Sequence, residues 1–181
     1  MKYLVVVDMQ KDFVDGALGT KEAQSIVPNV VKAIQTFSGT VLYTKDTHSE
    51  NYLHTQEGHH LPVVHCVKGT AGWELDPQIA QTKDPASPVF EKETFGSTEL
   101  AVYLQQKNKE HAIEEIIFVG LCTDICVISN AFLAKAFMPE VPITVWPDCC
   151  AGVTPESHKN ALEAMKMCQI NTALQIFHKE P

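Results

Sequence analysis

The amino-acid sequence predicts an α/β protein in which helices cover both faces of a mostly parallel sheet. Short apolar runs alternate with longer amphipathic segments along the 181 residues, and repeated strand–helix units of this size are typical of parallel sheets. The first run, residues 3–7 (YLVVV), has no polar alternation, which indicates a strand buried on both faces. Hydrophobic residues make up 45% of the chain and charged residues 20%, which is typical of a globular protein with such a core.

Strands and helices are predicted in alternation along the chain. The strands are residues 3–7, 40–44, 88–91, 116–119, 143–146 and 173–177. The helices are residues 22–37, a helix capped by Ser97 that runs to about residue 108, a segment from the Cys126 turn to residue 137, and one that begins at Thr154. Thr154, Pro155 and Glu156 give that last helix a cap, a proline in its first position and an acidic first turn.

The chain is predicted to be one domain, residues 1–181. Its length suits a single domain, and no internal repeat or linker interrupts it. Residues 47–86 form an insertion, rich in His, Gly and Pro, between two of the predicted strands. A connection of that length usually carries function.

The charge balance and the cysteine pattern exclude several classes of function. Lys and Arg total 14 against 22 for Asp and Glu, a net charge of −8, which argues against a nucleic-acid or anionic-membrane surface. No apolar run approaches the length of a bilayer span, and no signal peptide precedes the first strand. The six cysteines (66, 122, 126, 149, 150 and 168) form no CxxC pair, so we expect free thiols in a reducing cytoplasm.

Cys126 is the candidate nucleophile. It follows the strand predicted at 116–119 and falls in the first turn of the next helix, for which Thr123 and Asp124 are the predicted N-caps. Unpaired backbone N–H groups and the helix dipole favour a thiolate at that position. The same N–H groups could bind the oxyanion that forms when the thiolate attacks an acyl carbon. The alternative is a small buried cysteine that only fills the strand–helix junction.

Three further side chains are predicted to lie beside Cys126. Asp8, Asp46 and Lys92 each follow the carboxyl end of a predicted strand, and ligands of open parallel sheets bind outside that edge. Asp8 can take the proton of the thiol and later protonate a leaving amine. Lys92 can lower the pKa of both acidic groups through its positive charge. Taken singly, Asp8 could be a polar strand end and Lys92 a surface lysine, but together these residues indicate a site.

A second cluster of candidate residues lies in the insertion. Five of the eight histidines (48, 54, 59, 60 and 65) fall there. Asp46 and His48 project to the same side of an extended segment, and His65 follows later in the chain. One carboxylate and two imidazoles suit zinc, or another divalent ion such as manganese or iron. The alternative is a solvated polar loop, to which the pair 59–60 is assigned.

The motifs that carry these residues resemble the isochorismatase-like cysteine hydrolases, most closely their nicotinamidase/pyrazinamidase branch. They occur in the order of that family over nearly the whole chain: residues 7–13 (VDMQKDF), 46–48 (DTH), 65–70 (HCVKGT), 92–96 (KETFG), 120–127 (GLCTDICV) and 148–153 (DCCAGV). Together the motifs are specific for the family and less specific for the substrate.

The resemblance implies a fold, a catalytic triad and a metal site. The fold is a three-layer α/β/α arrangement with a six-stranded parallel sheet. The triad falls on Asp8, Lys92 and Cys126. The implied metal ligands are Asp46, His48 and His65, with Glu57 as a further ligand and His54 as its alternative. The implied ion is zinc, with manganese or iron as alternatives.

An oxyanion hole and a pyridine pocket are also implied by the resemblance. The hole uses the backbone N–H groups of Cys122 and Cys126, and it follows a cis peptide between Leu121 and Cys122. Phe13 is one aromatic wall of the pocket.

On the opposite wall of the pocket, the sequence differs from the nicotinamidase/pyrazinamidase branch. Position 62, where the branch carries Trp or Phe, is Pro62 in this chain, with Leu61 beside it. Leu61 is therefore the expected lining residue, and Trp73 or Phe95 would replace the missing aromatic side chain.

The combined expectation is a metal-containing cysteine amidohydrolase of NAD salvage. It would hydrolyse nicotinamide to nicotinate and ammonia through a thioester. One alternative is a related hydrolase of small amides such as N-carbamoyl or ureido compounds. Another is a metal-binding or thiol-redox protein on the same fold. We expect a cytoplasmic homo-oligomer whose partner is a small-molecule amide, without nucleic acid or membrane.

Overall fold

The computed structural model describes residues 1–173, and one six-stranded sheet lies at its centre. The strands are β1 (Lys2–Val7), β2 (Thr40–Asp46), β3 (Val89–Lys92), β4 (Glu115–Leu121), β5 (Ile143–Ala151) and β6 (Asn171–Thr172). Their order across the sheet is β3-β2-β1-β4-β5-β6, and all neighbouring strands are parallel. The predicted α/β class and six-stranded parallel sheet are confirmed.

Helices lie between the strands in the chain. They are α1 (Lys11–Val14), α2 (Lys21–Thr36), α3 (Gln56–His60), α4 (Pro77–Thr82), α5 (Thr98–Glu110), α6 (Ile128–Phe137) and α7 (Pro155–Met167). A 3₁₀ turn at Tyr52–His54 and a π-helical turn at Thr123–Val127 complete the set. Ser97 and Thr154 cap α5 and α7 as predicted, since each side-chain oxygen accepts a backbone N–H of the first turn. No helix among residues 1–173 is both long enough and apolar enough to cross a bilayer.

The core has two parts, one on each face of the sheet. On β1 the side chains of Tyr3, Val5 and Val7 pack with apolar residues of α5, α6 and α7. The alternate side chains, Leu4 and Val6, pack on the other face with residues of α1, α2 and α4. This alternation of buried side chains produces the three predicted layers, because successive strand residues point to opposite faces.

The strands β4 and β5 run further than the sequence predicted. Their pairing is irregular, since Phe118 faces Val145 whereas Gly120 faces Cys150. The extra residues of β5 form a bulge that contains Pro147, which has no N–H to give to a ladder. The sequence prediction relied on runs of apolar residues, so it ended this strand at the polar residues of the bulge. Residues 174–177 of the strand predicted at 173–177 lie outside the described residues. β6 ends at Thr172, just before that predicted strand.

The direction of the sheet order reverses between β1 and β4, which places a crevice at their carboxyl ends. Val7 and Gly120 are the last residues paired there. Gly120 has a φ of +113°, and a Cβ on it would lie 2.1 Å from the carbonyl oxygen of Val7. Only glycine allows this close approach. Asp8 and the Cys126 turn therefore leave the sheet side by side.

Candidate active site

Asp8, Lys92 and Cys126 meet at the carboxyl edge of the sheet. Asp8 follows β1 with a φ of +46°, Lys92 is the last residue of β3, and Cys126 lies in the π-helical turn after β4. The Nζ atom of Lys92 is 2.7 Å from Oδ2 of Asp8 and 3.5 Å from Sγ of Cys126. All three side chains are buried. The structure therefore brings together the three residues that sequence reasoning proposed as a triad.

Burial, more than the charge of Lys92, determines how these groups titrate. It raises the pKa of Cys126 well above its ordinary value, and Lys92 opposes this only in part. It also raises the pKa of Asp8, against the lowering effect of Lys92. Burial alone would lower the pKa of Lys92, but Asp8, Cys126 and Asp46 raise it well above its usual range. Lys92 lowers both acidic pKa values as expected, but desolvation outweighs its charge, so both remain above their ordinary values. The resting site holds a thiol beside an ammonium.

The turn that carries Cys126 is held by tertiary contacts and not by the predicted caps. Thr123 is hydrogen-bonded through Oγ1 to Nδ1 of His158 at 2.8 Å. Asp124 accepts the backbone N–H of Val153 at 3.2 Å. The N-cap prediction for these two residues is wrong: the turn has no side-chain cap, because Thr123 is engaged by His158 of α7 and Asp124 by Val153, which lies between β5 and α7. The cis peptide predicted between Leu121 and Cys122 is present.

Four side chains of the insertion and its flank converge beside the triad. Asp46, His48, Glu57 and His65 each offer a ligand atom, and these atoms lie within 4.8 Å of one another. Nε2 of His48 is 2.8 Å from Oδ2 of Asp46, and Oε1 of Glu57 is 3.7 Å from Nε2 of His48 and 3.8 Å from that of His65. His54, the alternative to Glu57, is exposed and lies outside this group.

The donor set fits a divalent cation. Nδ1 of His65 is 2.7 Å from the carbonyl oxygen of Val63, which leaves Nε2 free to bind a metal. Nε2 of His48 is buried and has no hydrogen-bond partner of acceptable geometry among residues 1–173, despite its short distance to Asp46. A nitrogen and a carboxylate oxygen that lie close together without a hydrogen bond are typical of two ligands directed at one metal position. Carboxylate oxygens and imidazole nitrogens are suitable ligands for zinc, manganese and iron.

The charges of the side chains around this cluster also favour a divalent cation. Asp8, Asp46 and Glu57 surround a single ammonium, that of Lys92. With all three carboxylates ionised and both imidazoles neutral, as metal binding requires, the cluster would carry two net negative charges, which a divalent ion would neutralise. Without such an ion, burial raises the pKa of Glu57, and the charge of Asp46 adds to this rise.

Lys92 joins the triad to the ligand cluster. Its Nζ atom is 3.1 Å from Oδ1 of Asp46, and the two residues are register partners on β3 and β2. Burial alone would raise the pKa of Asp46, but its contacts with His48 and His65 and the charge of Lys92 lower it. Asp46 is consequently a carboxylate shared between the two halves of the site.

Residues 2–175 match the isochorismatase domain family. The chain belongs to the isochorismatase family. The motifs quoted above and the site geometry fall within this match.

The similar proteins within this family include nicotinamidases and pyrazinamidases. The nicotinamidase of Acinetobacter baylyi is 30% identical over 162 residues, 73% of this chain and 73% of that protein. The nicotinamidase/pyrazinamidase of Mycobacterium tuberculosis is 27% identical over 94% of this chain and 97% of that protein. The crystal structure of Pyrococcus horikoshii pyrazinamidase in complex with zinc has a TM-score of 0.79 at 28% identity, covering 96% of this chain and 98% of that one. This isochorismatase-family chain is a nicotinamidase-like amidohydrolase.

The residues expected to line the pocket differ in their burial and contacts. Phe13 is buried with its ring centroid 5.4 Å from that of His65, next to the ligand cluster. Leu61 is 37% exposed. Lys45 covers one face of the Trp73 ring at 3.1 Å, and the indole N–H of Trp73 donates to Thr47 at 2.9 Å. Phe95 is exposed.

Sequence reasoning missed two residues that hold the site. Thr44 donates its hydroxyl to Oδ1 of Asp8 at 2.6 Å. Gln10 pairs its side-chain amide with the backbone of Asp46, at 2.8 Å to the carbonyl oxygen and 2.7 Å from the N–H. Both side chains are fully buried. The signal was a polar residue in or next to an otherwise apolar strand, which a buried position tolerates only when it is hydrogen-bonded.

Proposed function

We propose that this chain hydrolyses nicotinamide to nicotinate and ammonia, with Cys126 as nucleophile and Asp8 as general base and acid. The observation that carries the proposal is the placement of Lys92, whose ammonium contacts Asp8 at 2.7 Å and Cys126 at 3.5 Å. A buried ammonium that contacts both a carboxylate and a thiol is suited to nucleophilic attack with proton transfer. The names of the relatives support nicotinamide as the substrate.

The acylation step begins with the thiol, because burial disfavours a free thiolate. Asp8 takes the proton of Cys126 as Sγ attacks the amide carbon, so a C–S bond forms and the electron pair of the carbonyl moves to its oxygen. Backbone N–H groups of Cys122 and Cys126 are the proposed donors to that oxygen. When the carbonyl re-forms, the C–N bond breaks and the proton on Asp8 leaves with ammonia. The acyl group then remains on Cys126 as a thioester.

The deacylation step uses the same residues. Asp8 takes a proton from water as the water oxygen attacks the thioester carbon, and the C–S bond breaks. Asp8 returns that proton to Sγ, and the product, formed as nicotinic acid, loses its own proton to solvent and leaves as nicotinate. The raised pKa of Asp8 makes it a stronger base than an exposed aspartate. Lys92, kept protonated by the acidic groups around it, above all Asp8, stabilises the charge of the base in both steps.

We propose that Asp46, His48, Glu57 and His65 hold a divalent ion, with zinc as the first choice. The donor set supports this choice, as does the zinc complex of the Pyrococcus horikoshii relative. When bound, such an ion supplies a Lewis acid next to the triad. The residues that hold it also fix the carboxylate of Asp46, which in turn positions the ammonium of Lys92.

A hydrolase of ureido or N-carbamoyl amides is the second candidate. It is favoured by Leu61 and Pro62, which offer no aromatic ring on the side of the pocket opposite Phe13. The test is ammonia release by the purified protein from nicotinamide, pyrazinamide and ureido compounds at matched concentration. Nicotinamide as the best substrate by kcat/KM supports the proposal, and a ureido compound as the best substrate overturns it.

A further inference from the structure

The side chain of Asn130 connects the two segments that carry Cys126 and Lys92. Asn130 lies near the start of α6 and is 2% exposed. Its Nδ2 donates to the carbonyl oxygen of Cys126 at 2.8 Å and to that of Phe95 at 3.2 Å. Its Oδ1 accepts the backbone N–H of Ser97 at 2.9 Å. One buried amide thus binds the nucleophile turn on one side and the segment after Lys92 on the other.

We infer that Asn130 is a positioning residue that holds the thiol of Cys126 and the ammonium of Lys92 in register. The inference rests on the proposed function, in which these two groups must stay 3.5 Å apart. Cys126 comes from the end of β4 and Lys92 from β3, and two other strands separate β3 from β4 in the sheet. The sheet alone therefore does not fix the relative position of the two loops that follow these strands. The side chain of Asn130 does, because it binds both loops.

The hydrogen bonds of Asn130 with Cys126 and Ser97 are buried, and the one with Phe95 is partly buried. Losing a buried bond deprives a desolvated carbonyl or N–H group of a partner, which is unfavourable in a dry site. A displacement of about 1 Å in a reacting group can reduce the rate on the order of 100-fold. Because Asn130 touches neither substrate nor reacting atoms in this scheme, its loss should slow turnover without weakening substrate binding.

Two substitutions separate the contacts of Asn130. Asn130→Ala removes all three hydrogen bonds. Asn130→Thr removes the contacts with Phe95 and Ser97 but keeps a hydroxyl that can donate to the carbonyl four residues earlier, which is that of Cys126. Gln105→Ala is the matched control, because Gln105 also joins α5 to α6 through its amide, donating to the carbonyl oxygen of Phe137 at 3.1 Å, at the other end of both helices.

The test measures kcat and KM for ammonia release, thermal stability, and hydrogen exchange of the peptide covering residues 93–97. We expect Asn130→Ala to lower kcat by about 30- to 100-fold and Asn130→Thr by about 3- to 10-fold, with KM within about twofold of wild type. Exchange at 93–97 should become faster in both variants. Gln105→Ala, which loses one partly buried hydrogen bond between the same two helices, should change neither kcat nor that exchange.

Asn130→Thr keeps the inference falsifiable if Asn130→Ala does not fold. Wild-type kcat in Asn130→Thr, a rise of KM in place of a fall in kcat, or an equal loss of kcat in Gln105→Ala would overturn it. Failure of the proposed function has a different signature, namely no ammonia release by the wild-type protein from any amide. In that case the exchange of residues 93–97 still decides whether Asn130 couples the two loops, and unchanged exchange in Asn130→Thr overturns the coupling.

Discussion

Replacing Thr44 by valine tests whether Asp8 is the catalytic base. The Thr44 hydroxyl donates to Oδ1 of Asp8 at 2.6 Å inside the buried site, and a hydrogen bond to a charged group contributes about 1.5–3 kcal/mol. Valine has nearly the same shape but no donor, so the ionised form of Asp8 loses more stabilisation than the protonated form. One pKa unit corresponds to about 1.36 kcal/mol, so the pKa of Asp8, which burial already raises, should rise by about one to two further units.

The assay for this change is the pH dependence of kcat/KM for ammonia release. Asp8 must be ionised to take the thiol proton, so the acid limb of the profile should move to higher pH by about one to two units, with recovery of the rate at higher pH. Thr144→Val is the control, since the Thr144 hydroxyl donates to Glu115 at 2.7 Å at the opposite edge of the sheet. It should lose stability but keep the wild-type limb. An acid limb that stays in place, or moves to lower pH, in Thr44→Val would refute the role of Asp8.

Three further predictions concern the metal ligands, the pocket and the turn. His48→Ala or His65→Ala should lower metal affinity by at least about tenfold with the circular dichroism spectrum unchanged, and stoichiometric metal in the double variant, measured by elemental analysis, would contradict the assignment. Phe13→Ala should raise KM for nicotinamide about tenfold with little change in kcat, because ring stacking holds substrate and transition state alike; steady-state kinetics showing the reverse split would be inconsistent with a pocket wall. Burial lowers the pKa of His158, so the folded state binds a proton less readily than the unfolded chain, and stability should fall as pH drops below about 6.5. His158→Asn, which keeps a polar atom near Thr123, should reduce that fall in thermal melts, and an unchanged pH dependence would show that His158 is not responsible.

The parts of the site that could be predicted from sequence are those at the ends of apolar strands. Asp8, Asp46 and Lys92 stand out because a polar residue follows each buried run, and a parallel sheet must bring such ends together. The structure brings all three into contact. Their catalytic roles remain predictions until the assays above are done.

The parts that could not be predicted depend on tertiary contacts. Thr123 and Asp124 have the residue types of helix caps, yet His158 and Val153 engage their side chains, and nothing in the local sequence indicates those partners. The pKa of Cys126 was predicted from a helix dipole and a nearby cation, whereas complete burial dominates it. The burial of Cys126 depends on which distant elements pack around it, which local patterns do not specify.

The most direct test of the account is the identity of the residue that carries the acyl group. Wild-type protein turning over nicotinamide is quenched in acid, digested and examined by mass spectrometry. The account predicts a nicotinoyl thioester on Cys126, with no adduct and no turnover in Cys126→Ser, because a serine hydroxyl is too weakly acidic to replace the thiol there. Cys122→Ala should keep both the adduct and near wild-type turnover, since position 122 would contribute only its backbone N–H. An adduct on Cys122, or full activity in Cys126→Ser, would contradict the mechanism.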